Sequence, residues 1–531
     1  MKKKGILVVH LFSLFCIIHP ILCFSSKPKG IVLVGIGMKD MGLGKITEYF
    51  SYSFKHVARS QGSTGGHRVI KRTGHEFKLC MIPSGIMRKD TVCYLTAGME
   101  IDPELFLEEI VYLQEKNIST HNRIWISPKA HVVFPYHKTL DDCMSNITQS
   151  GIDIGSRKGT GSAAACKRLR IGIRIADLLQ EERLKIALQE NLTFINNMLV
   201  KLFNEKPYDF DVLYKQYREY AKKLKPYIKD DLEIFLNKKL LSGQAVLFEG
   251  AQGSSADISF GAYPYVSSSS TSVAGICTGA GIGPNKISHV IGVVPTYITA
   301  LGGAPLPTEI KDLSEMPSDI LHKIDALPTE KRDGFKKKHA EIMESCKTDP
   351  IKTIIEAFKA FFKEIGLTKD QPLHDEKTLQ QHVEDTLHTL KIETVHTTTN
   401  QSFPDSIRYG WIDLVMIREA ILLNGIDSLV LTKLDTLDDF DEIKICIDYK
   451  VGNKTYDYMP SMVQDSKSIE PMYITMKGWK KPTSHIKKFS QLPEEARDFI
   501  KRIELLASTP ITHISVGPER DQMIICDPLI L

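Results

Sequence analysis

The chain predicts an α/β fold, a large mainly parallel sheet flanked by helices, on three observations. Short apolar or β-branched runs at residues 31–34, 245–248, 289–297 and 428–431 each run straight into a turn rich in glycine or polar residues. Stretches of helical periodicity lie between them, the alternation that parallel sheets require. Composition is that of an ordinary folded body, 42% hydrophobic and 25% charged over 531 residues, and no Pro/Ser linker cuts it. One large unit with insertions is therefore expected.

Residues 1–25 place three lysines and no acid around an apolar stretch, the layout of a cleaved signal peptide that would route the chain into the secretory pathway. An uncleaved anchor is the alternative, although two histidines and Pro20 make the stretch poor as a stable membrane span. The formal charge of +4 falls to +1 without those lysines, so nothing advertises nucleic acid as a partner. Ten cysteines are scattered with no C-x-x-C or Cys/His metal spacing. They read as small core residues, which fits a cytoplasmic ancestry better than a disulfide framework. Asn117, Asn146, Asn191, Asn400 and Asn453 head N-x-S/T triplets and are glycan acceptors only on a secretory route.

The run 31–34 enters Gly35-Ile-Gly-Met-Lys-Asp-Met-Gly-Leu-Gly-Lys45. Glycine there permits positive φ and close approach, so backbone N–H groups can face a phosphate at the next helix. Asp40 in that turn can hold Mg²⁺ or accept a proton; a tight turn with a solvated aspartate is the alternative. Residues 45–54 read as helical, and 56–59 lead to the loop Gln61-Gly-Ser-Thr-Gly-Gly-His67, whose histidine can reach a ligand. An amphipathic helix follows at 103–115, then short strands at 123–127 and 131–135. Residues 154–161 form a second glycine-rich loop, basic enough to grip phosphate, with a flexible surface loop as the other reading. Helices are expected at 177–190 and 214–239.

The run 245–248 continues as Glu249-Gly-Ala-Gln-Gly253 and sets Gln252 at a strand's C-terminal end, where ligands of open parallel sheets gather. Residues 312–393, rich in Lys, Glu, Asp and His, read as an inserted helical arm. Residues 428–431 run into Thr432-Lys-Leu-Asp435. A carboxylate there can accept from a guanine's N1–H and 2-amino group while Lys433 lays its stem on the ring. An N-capping aspartate is the competing reading of Asp435.

Together these pieces resemble the adenylosuccinate synthetase family, from Ile31 to the C-terminus apart from the arm. Its most specific stretches are Pro83-Ser-Gly-Ile86, Val246-Leu-Phe-Glu-Gly-Ala-Gln-Gly253, Tyr263-Pro-Tyr-Val266, Leu431-Thr-Lys-Leu-Asp435 and Ser515-Val-Gly-Pro518. The resemblance implies a P-loop-NTPase-like synthetase fold and a homodimer. It also implies Mg²⁺-dependent joining of IMP to L-aspartate with GTP, releasing GDP and phosphate on the way to AMP. It casts Asp40 as base on N1 of IMP and Mg²⁺ ligand, Gly66 as a carbonyl ligand of Mg²⁺, and His67 as the acid assisting transfer. IMP falls to Asp40, Thr64, Arg157, Gln252, Ser267 and an Arg170 reaching from the neighbouring subunit. GTP falls to Gly42, Gly66, His67, Lys433, Asp435, Ser515 and Gly517, and aspartate to Thr399 and Arg408.

The chain departs from the family pattern where an acid becomes Met41, a substrate-touching lysine becomes Leu43, an asparagine becomes Thr64 and a threonine becomes Arg157. Of the arginines that grip aspartate, residues 397–411 keep only Arg408. A synthetase with an altered aspartate site is the first reading, and an impaired or non-catalytic secreted paralogue binding purine nucleotides and a partner is the second.

Overall fold

The protein, a computed structural model, is described over residues 29–62, 66–70, 76–147, 157–301, 304–310, 407–460 and 468–527. The leader at 1–25, the arm at 312–393, Thr64 and Thr399 lie outside these residues. Nine strands form the main sheet: β1 (Lys29–Gly35), β2 (His56–Arg59), β3 (Val92–Leu95), β4 (Ile124–Ile126), β5 (Ala245–Gly253), β6 (Ile287–Pro295), β7 (Ser428–Thr432), β8 (Ile511–Ser515) and β9 (Met523–Ile525). Their order is β9-β8-β7-β6-β1-β5-β2-β3-β4. Every neighbouring pair is parallel except β8 with β9.

Val32, Leu33 and Val34 are wholly buried, as an unbroken apolar run must be when helices cover both faces of a parallel sheet. From β1 the chain first builds β2, β3 and β4 to one side and later β6, β7 and β8 to the other. The order thus reverses at β1, where open parallel sheets have their ligand crevice, outside the C-terminal ends of the strands.

The helix predicted at 103–115 is found as Pro103–Glu115, with the Asp102 carboxylate accepting from the N–H groups of Glu104 and Leu105 at 3.1 and 3.3 Å. Other boundaries move for identifiable reasons. The strand expected at 131–135 extends only over His131–Val132, because Pro135 opens the helix Pro135–Ile147. Proline at the first helical position has the right φ and lacks an N–H that would go unused. The helix expected at 214–239 is two, Phe210–Leu224 and Leu232–Leu241, parted at Pro226. The run 289–297 also divides: β6 stops at Pro295, and Tyr297–Leu301 joins a second, five-stranded sheet.

In that second sheet Tyr297–Leu301 pairs antiparallel with Ile407–Asp413, Leu301 facing Ile407. The Ile310 N–H donates to Tyr409 at 2.7 Å and the Trp411 N–H to Thr308 at 3.0 Å. The chain therefore leaves for residues 311–406 and returns beside the same strand. Elsewhere three backbone stretches converge with no room for a side chain: a methyl on Gly98 would lie 2.0 Å from the Ser60 oxygen and 2.6 Å from the Gly279 Cα.

Seven cysteines among the described residues are free, six of them buried and Cys526 half-buried, as small core residues should be. Among the described residues no helix is long and apolar enough to cross a membrane. One expected glycan acceptor is corrected: Asn191 is 4% exposed and its amide donates to Ile171 and Ala187 at 2.7 and 2.8 Å, so no sugar fits there.

Candidate active site

The turn after β1 takes left-handed backbone at Gly37 (φ 116°), Asp40 (φ 61°) and Gly42 (φ 86°). The glycines were expected to do this; Asp40 does it too, and aspartate is among the few side chains that tolerate it. The turn is held from three sides. The Thr299 hydroxyl donates to the Lys39 carbonyl at 2.6 Å and the Thr432 hydroxyl to the Met41 carbonyl at 2.8 Å. The Met41 side chain, 2% exposed, fills the gap left by the missing side chains of Gly35 and Gly253. Leu43 is likewise buried at the start of helix α1 (Leu43–Phe50), for which Gly42 is the N-cap. The two departures from the family pattern thus become apolar anchors of the loop. The Asp40 carboxylate stays exposed on top of it.

His67 is not at a loop tip: it begins the strand His67–Ile70, paired with Glu76–Leu79, and is 6% exposed. A methyl on Gly44 would lie 2.9 Å from the His67 Cβ, so only glycine lets α1 and the glycine-rich turn approach this histidine so closely. Its Nδ1 meets Glu249 Oε1, a wholly buried carboxylate on β5 that also accepts from the Ser84 N–H and hydroxyl at 2.9 and 3.0 Å. Arg59, wholly buried at the end of β2, adds its charge nearby. Burial pushes the Glu249 carboxyl up, but His67, Arg59 and the Ser84 N–H outweigh it and hold it below its ordinary value. An ionised carboxylate can only accept, so Nδ1 carries a proton and Nε2 is the nitrogen that gains or loses one. Burial and Arg59 depress the His67 pKa, and Glu249 works against them.

Gln252 stands where the sequence placed it, next to last in β5, exposed and left-handed at φ 61°. Gly35 pairs with its neighbour Gly253, and the Gln252 carbonyl lies against Gly35, so this end of β5 adjoins the start of the glycine-rich turn.

At the other end of the crevice, β7 runs into Lys433 (φ 64°) and the short 3₁₀ turn Leu434–Leu437. Asp435 lies inside that turn and Lys433 occupies its N-cap position, which rules out the capping reading of Asp435. The Lys433 ammonium sits 4.4 Å over the Tyr297 ring and 3.0 Å from its hydroxyl, so its charge rests on protein and only its stem remains for a base. Ser515 ends β8. Sequence reasoning left Lys45 unassigned, yet it is 7% exposed and reaches this end: its Nζ donates to Ser515 Oγ at 2.7 Å and to the Gly517 and Gln522 carbonyls at 2.6 and 3.1 Å. Burial pulls its pKa down to about 7, against the pull of the Asp435 carboxylate. Glu249 and Lys45 were the residues missed. The signal for both was a charge inside an otherwise buried element, which must find a partner.

Ser267 is half-buried, its Oγ accepting from the Ser269 N–H at 2.9 Å. Arg157 and Arg170 are exposed at the two ends of the helix Thr160–Leu169. Arg408 does not present an open guanidinium: Nη1 is paired with Glu309 at 2.9 Å and Nη2 donates to the Ala304 carbonyl. Among the described residues no cluster of three His, Cys, Asp or Glu could cage a metal. One exposed carboxylate on a pinned glycine-rich turn nonetheless fits Mg²⁺, which is commonly bound through one or two carboxylates plus substrate phosphates.

Along the sheet, Ser515 at the end of β8, Lys433 and Asp435 after β7, the Asp40 loop after β1, Gln252 near the end of β5 and His67 beyond β2 follow the strand order β8-β7-β6-β1-β5-β2, with β6 separating β7 from β1. These polar residues thus follow the C-terminal ends of strands in one sheet.

The family model for adenylosuccinate synthetase matches residues 32–524. An adenylosuccinate synthetase of Desulfitobacterium hafniense is 35% identical over 93% of this chain and 98% of its own length. One of Caldanaerobacter subterraneus is 34% identical over 93% and 98%. The solved adenylosuccinate synthetase of Plasmodium falciparum superposes with a TM-score of 0.72 at 27% identity, covering 94% of this chain and 99% of its own. The chain belongs to the adenylosuccinate synthetase family, the GTP-dependent ligases that join IMP to L-aspartate on the route to AMP.

Proposed function

We propose that this chain performs the family reaction in two steps, with Asp40, His67 and Gln252 as its reacting core. The observation that supports this most is the close fit of the phosphate loop against His67 through Gly44, with Asp40 exposed on the same loop. In the first step Asp40 takes the proton from N1 of IMP, Gln252 holds the 6-oxo group, and that oxygen attacks the γ-phosphorus of GTP. The bond to the β-phosphate oxygen breaks, and His67 Nε2 supplies a proton or hydrogen bond to the developing charge. Nucleotide phosphates beside a buried imidazole raise its pKa, so the acid form arises when GTP binds. In the second step the amine of aspartate displaces the 6-phosphate.

Asp40 and the Gly66 carbonyl would hold Mg²⁺, which when bound neutralises charge on the transferring phosphoryl group. Lys433, Asp435, Ser515 and Gly517 receive guanine, with Gly42 at the phosphates, while Arg157, Ser267, Thr64 and a partner subunit's copy of Arg170 receive IMP in a homodimer. Thr399 and Arg408 receive aspartate. Residues 1–25 act as a cleaved leader. Native protein that begins at Met1 and carries no glycan on the exposed Asn117 would return the enzyme to the cytoplasm.

Positional isotope exchange in GTP with IMP, Mg²⁺ and no aspartate isolates the first step. Exchange that disappears in Asp40→Asn supports the assignment; no exchange despite measurable binding of both nucleotides would overturn it.

A further inference from the structure

We propose that Lys45 is a positioning residue for base selection, fixing the guanine end of the crevice as a ledge that offers a hydrogen more readily than it receives one. This rests on the reading of Ser515 and Asp435 as the guanine pocket. Lys45 sits in the first turn after a glycine-rich loop, where a lysine would be expected to grip phosphate. Its ammonium instead turns away to three oxygens, Ser515 Oγ, Gly517 O and Gln522 O, at 2.7, 2.6 and 3.1 Å. An ammonium has three N–H groups and no acceptor, so all three donors are spent on this ledge.

What is left there follows from counting lone pairs. Gln522 O also accepts the Val516 N–H at 3.0 Å, and Gly517 O also accepts the Ser515 hydroxyl at 3.2 Å, so both carbonyls are filled. Ser515 Oγ already accepts from Lys45, and its own hydrogen lies in the longest of these contacts. That hydrogen can swing to a nucleobase at little cost. The 6-oxo group of guanine is an acceptor and takes it; the 6-amino group of adenine is a donor and finds two filled carbonyls and only the second lone pair of Ser515 Oγ, beside the Lys45 ammonium that already donates to that oxygen. The half-buried Asp435, whose carboxylate lies near enough to raise the Lys45 pKa, would read N1–H and the 2-amino group on the base's other edge. Discrimination is then two-sided, and Lys45 governs one side without touching the base.

Affinities of the full-length chain for GTP, ATP and guanosine, measured by calorimetry in Lys45→Met, Ser515→Ala, Asp435→Ala and the Lys45→Met/Ser515→Ala double variant, test this. The expected result is that Lys45→Met lowers the GTP/ATP affinity ratio by about tenfold or more, the usual scale for a lost charged hydrogen bond, and weakens guanosine in step. Ser515→Ala should give a similar loss, and the double variant little more than either. Equal weakening of GTP and ATP with guanosine unaffected would show a phosphate-binding lysine and overturn the proposal. If Lys45→Met does not fold, an unchanged ratio in Ser515→Ala overturns it by itself. An unchanged ratio in Asp435→Ala would instead bring down the guanine-pocket reading.

Discussion

Replacing Glu249 by glutamine changes one oxygen to an amino group and removes one negative charge from a site that water does not reach. The carboxylate accepts from the His67 Nδ1–H, from the Ser84 N–H at 2.9 Å and from the Ser84 hydroxyl at 3.0 Å. In the amide, one of the two atoms becomes a donor facing donors. Hydrogen bonds to charged groups contribute ~1.5–3 kcal/mol each, and Arg59 additionally loses a counter-charge in the interior. The kinetic consequence is sharper. Burial and Arg59 already hold the His67 pKa down and Glu249 is the group opposing them, so without it the imidazolium form becomes rarer still. General acid catalysis is worth ~10²–10⁴-fold, so kcat should fall by about 100-fold or more while KM for GTP and IMP moves little. Positional isotope exchange from pH 6 to 9, with circular dichroism as a folding control, reads both. A kcat within about threefold of the parent and an unshifted pH profile would refute the role of the Glu249–His67 pair. A matching loss of GTP affinity would show that Glu249 merely holds the loop.

Three further outcomes are expected. With Arg408 committed to Glu309 and the neighbouring arginines absent, the KM for aspartate should stand well above those for GTP and IMP; Glu309→Gln should lower it, and an unchanged value would separate Arg408 from aspartate binding. Burial pulls the His137 pKa down to about 3, so the unfolded chain binds the extra proton between pH 6.5 and 3 and stability falls as pH falls through that window. The stability advantage over His137→Asn should shrink by roughly 3 kcal/mol between pH 7 and 4.5 in denaturant titrations, and a constant difference would contradict it. Gly98→Ala should cost at least about 1–3 kcal/mol because its methyl meets backbone that cannot yield, whereas Gly66→Ala, with nothing within 4 Å, should leave the denaturation midpoint in place.

What the sequence disclosed was whatever depends on neighbours along the chain. The strand and glycine turn around Asp40, the helix Pro103–Glu115 and the position of Gln252 are local patterns and were found. Glu249 and Lys45 were not, because their partners lie 182 residues away in one case and at least 470 in the other. Met41 and Leu43 looked like lost function when compared position by position with the family; only packing shows that their side chains became anchors of the loop. Pro135 and Pro226 were local signals given too little weight, and each moved a boundary.

The hairpin that releases and recaptures residues 311–406 also bears on how this enzyme can change over time. The last rung before the excursion, Ile310, is hydrogen-bonded to Tyr409, and Ile407 resumes opposite Leu301. Ends held this way decouple the framework from the length of what is spliced between them. In general the cost of closing a loop rises by only about 0.6 kcal/mol per doubling of its length. Changes of length within residues 312–393, which leave Thr399 and Arg408 in place, therefore add little closure cost to the framework. The rung works as a graft point, where new recognition can be tried by natural selection or by engineering while the crevice at the sheet's edge keeps its geometry.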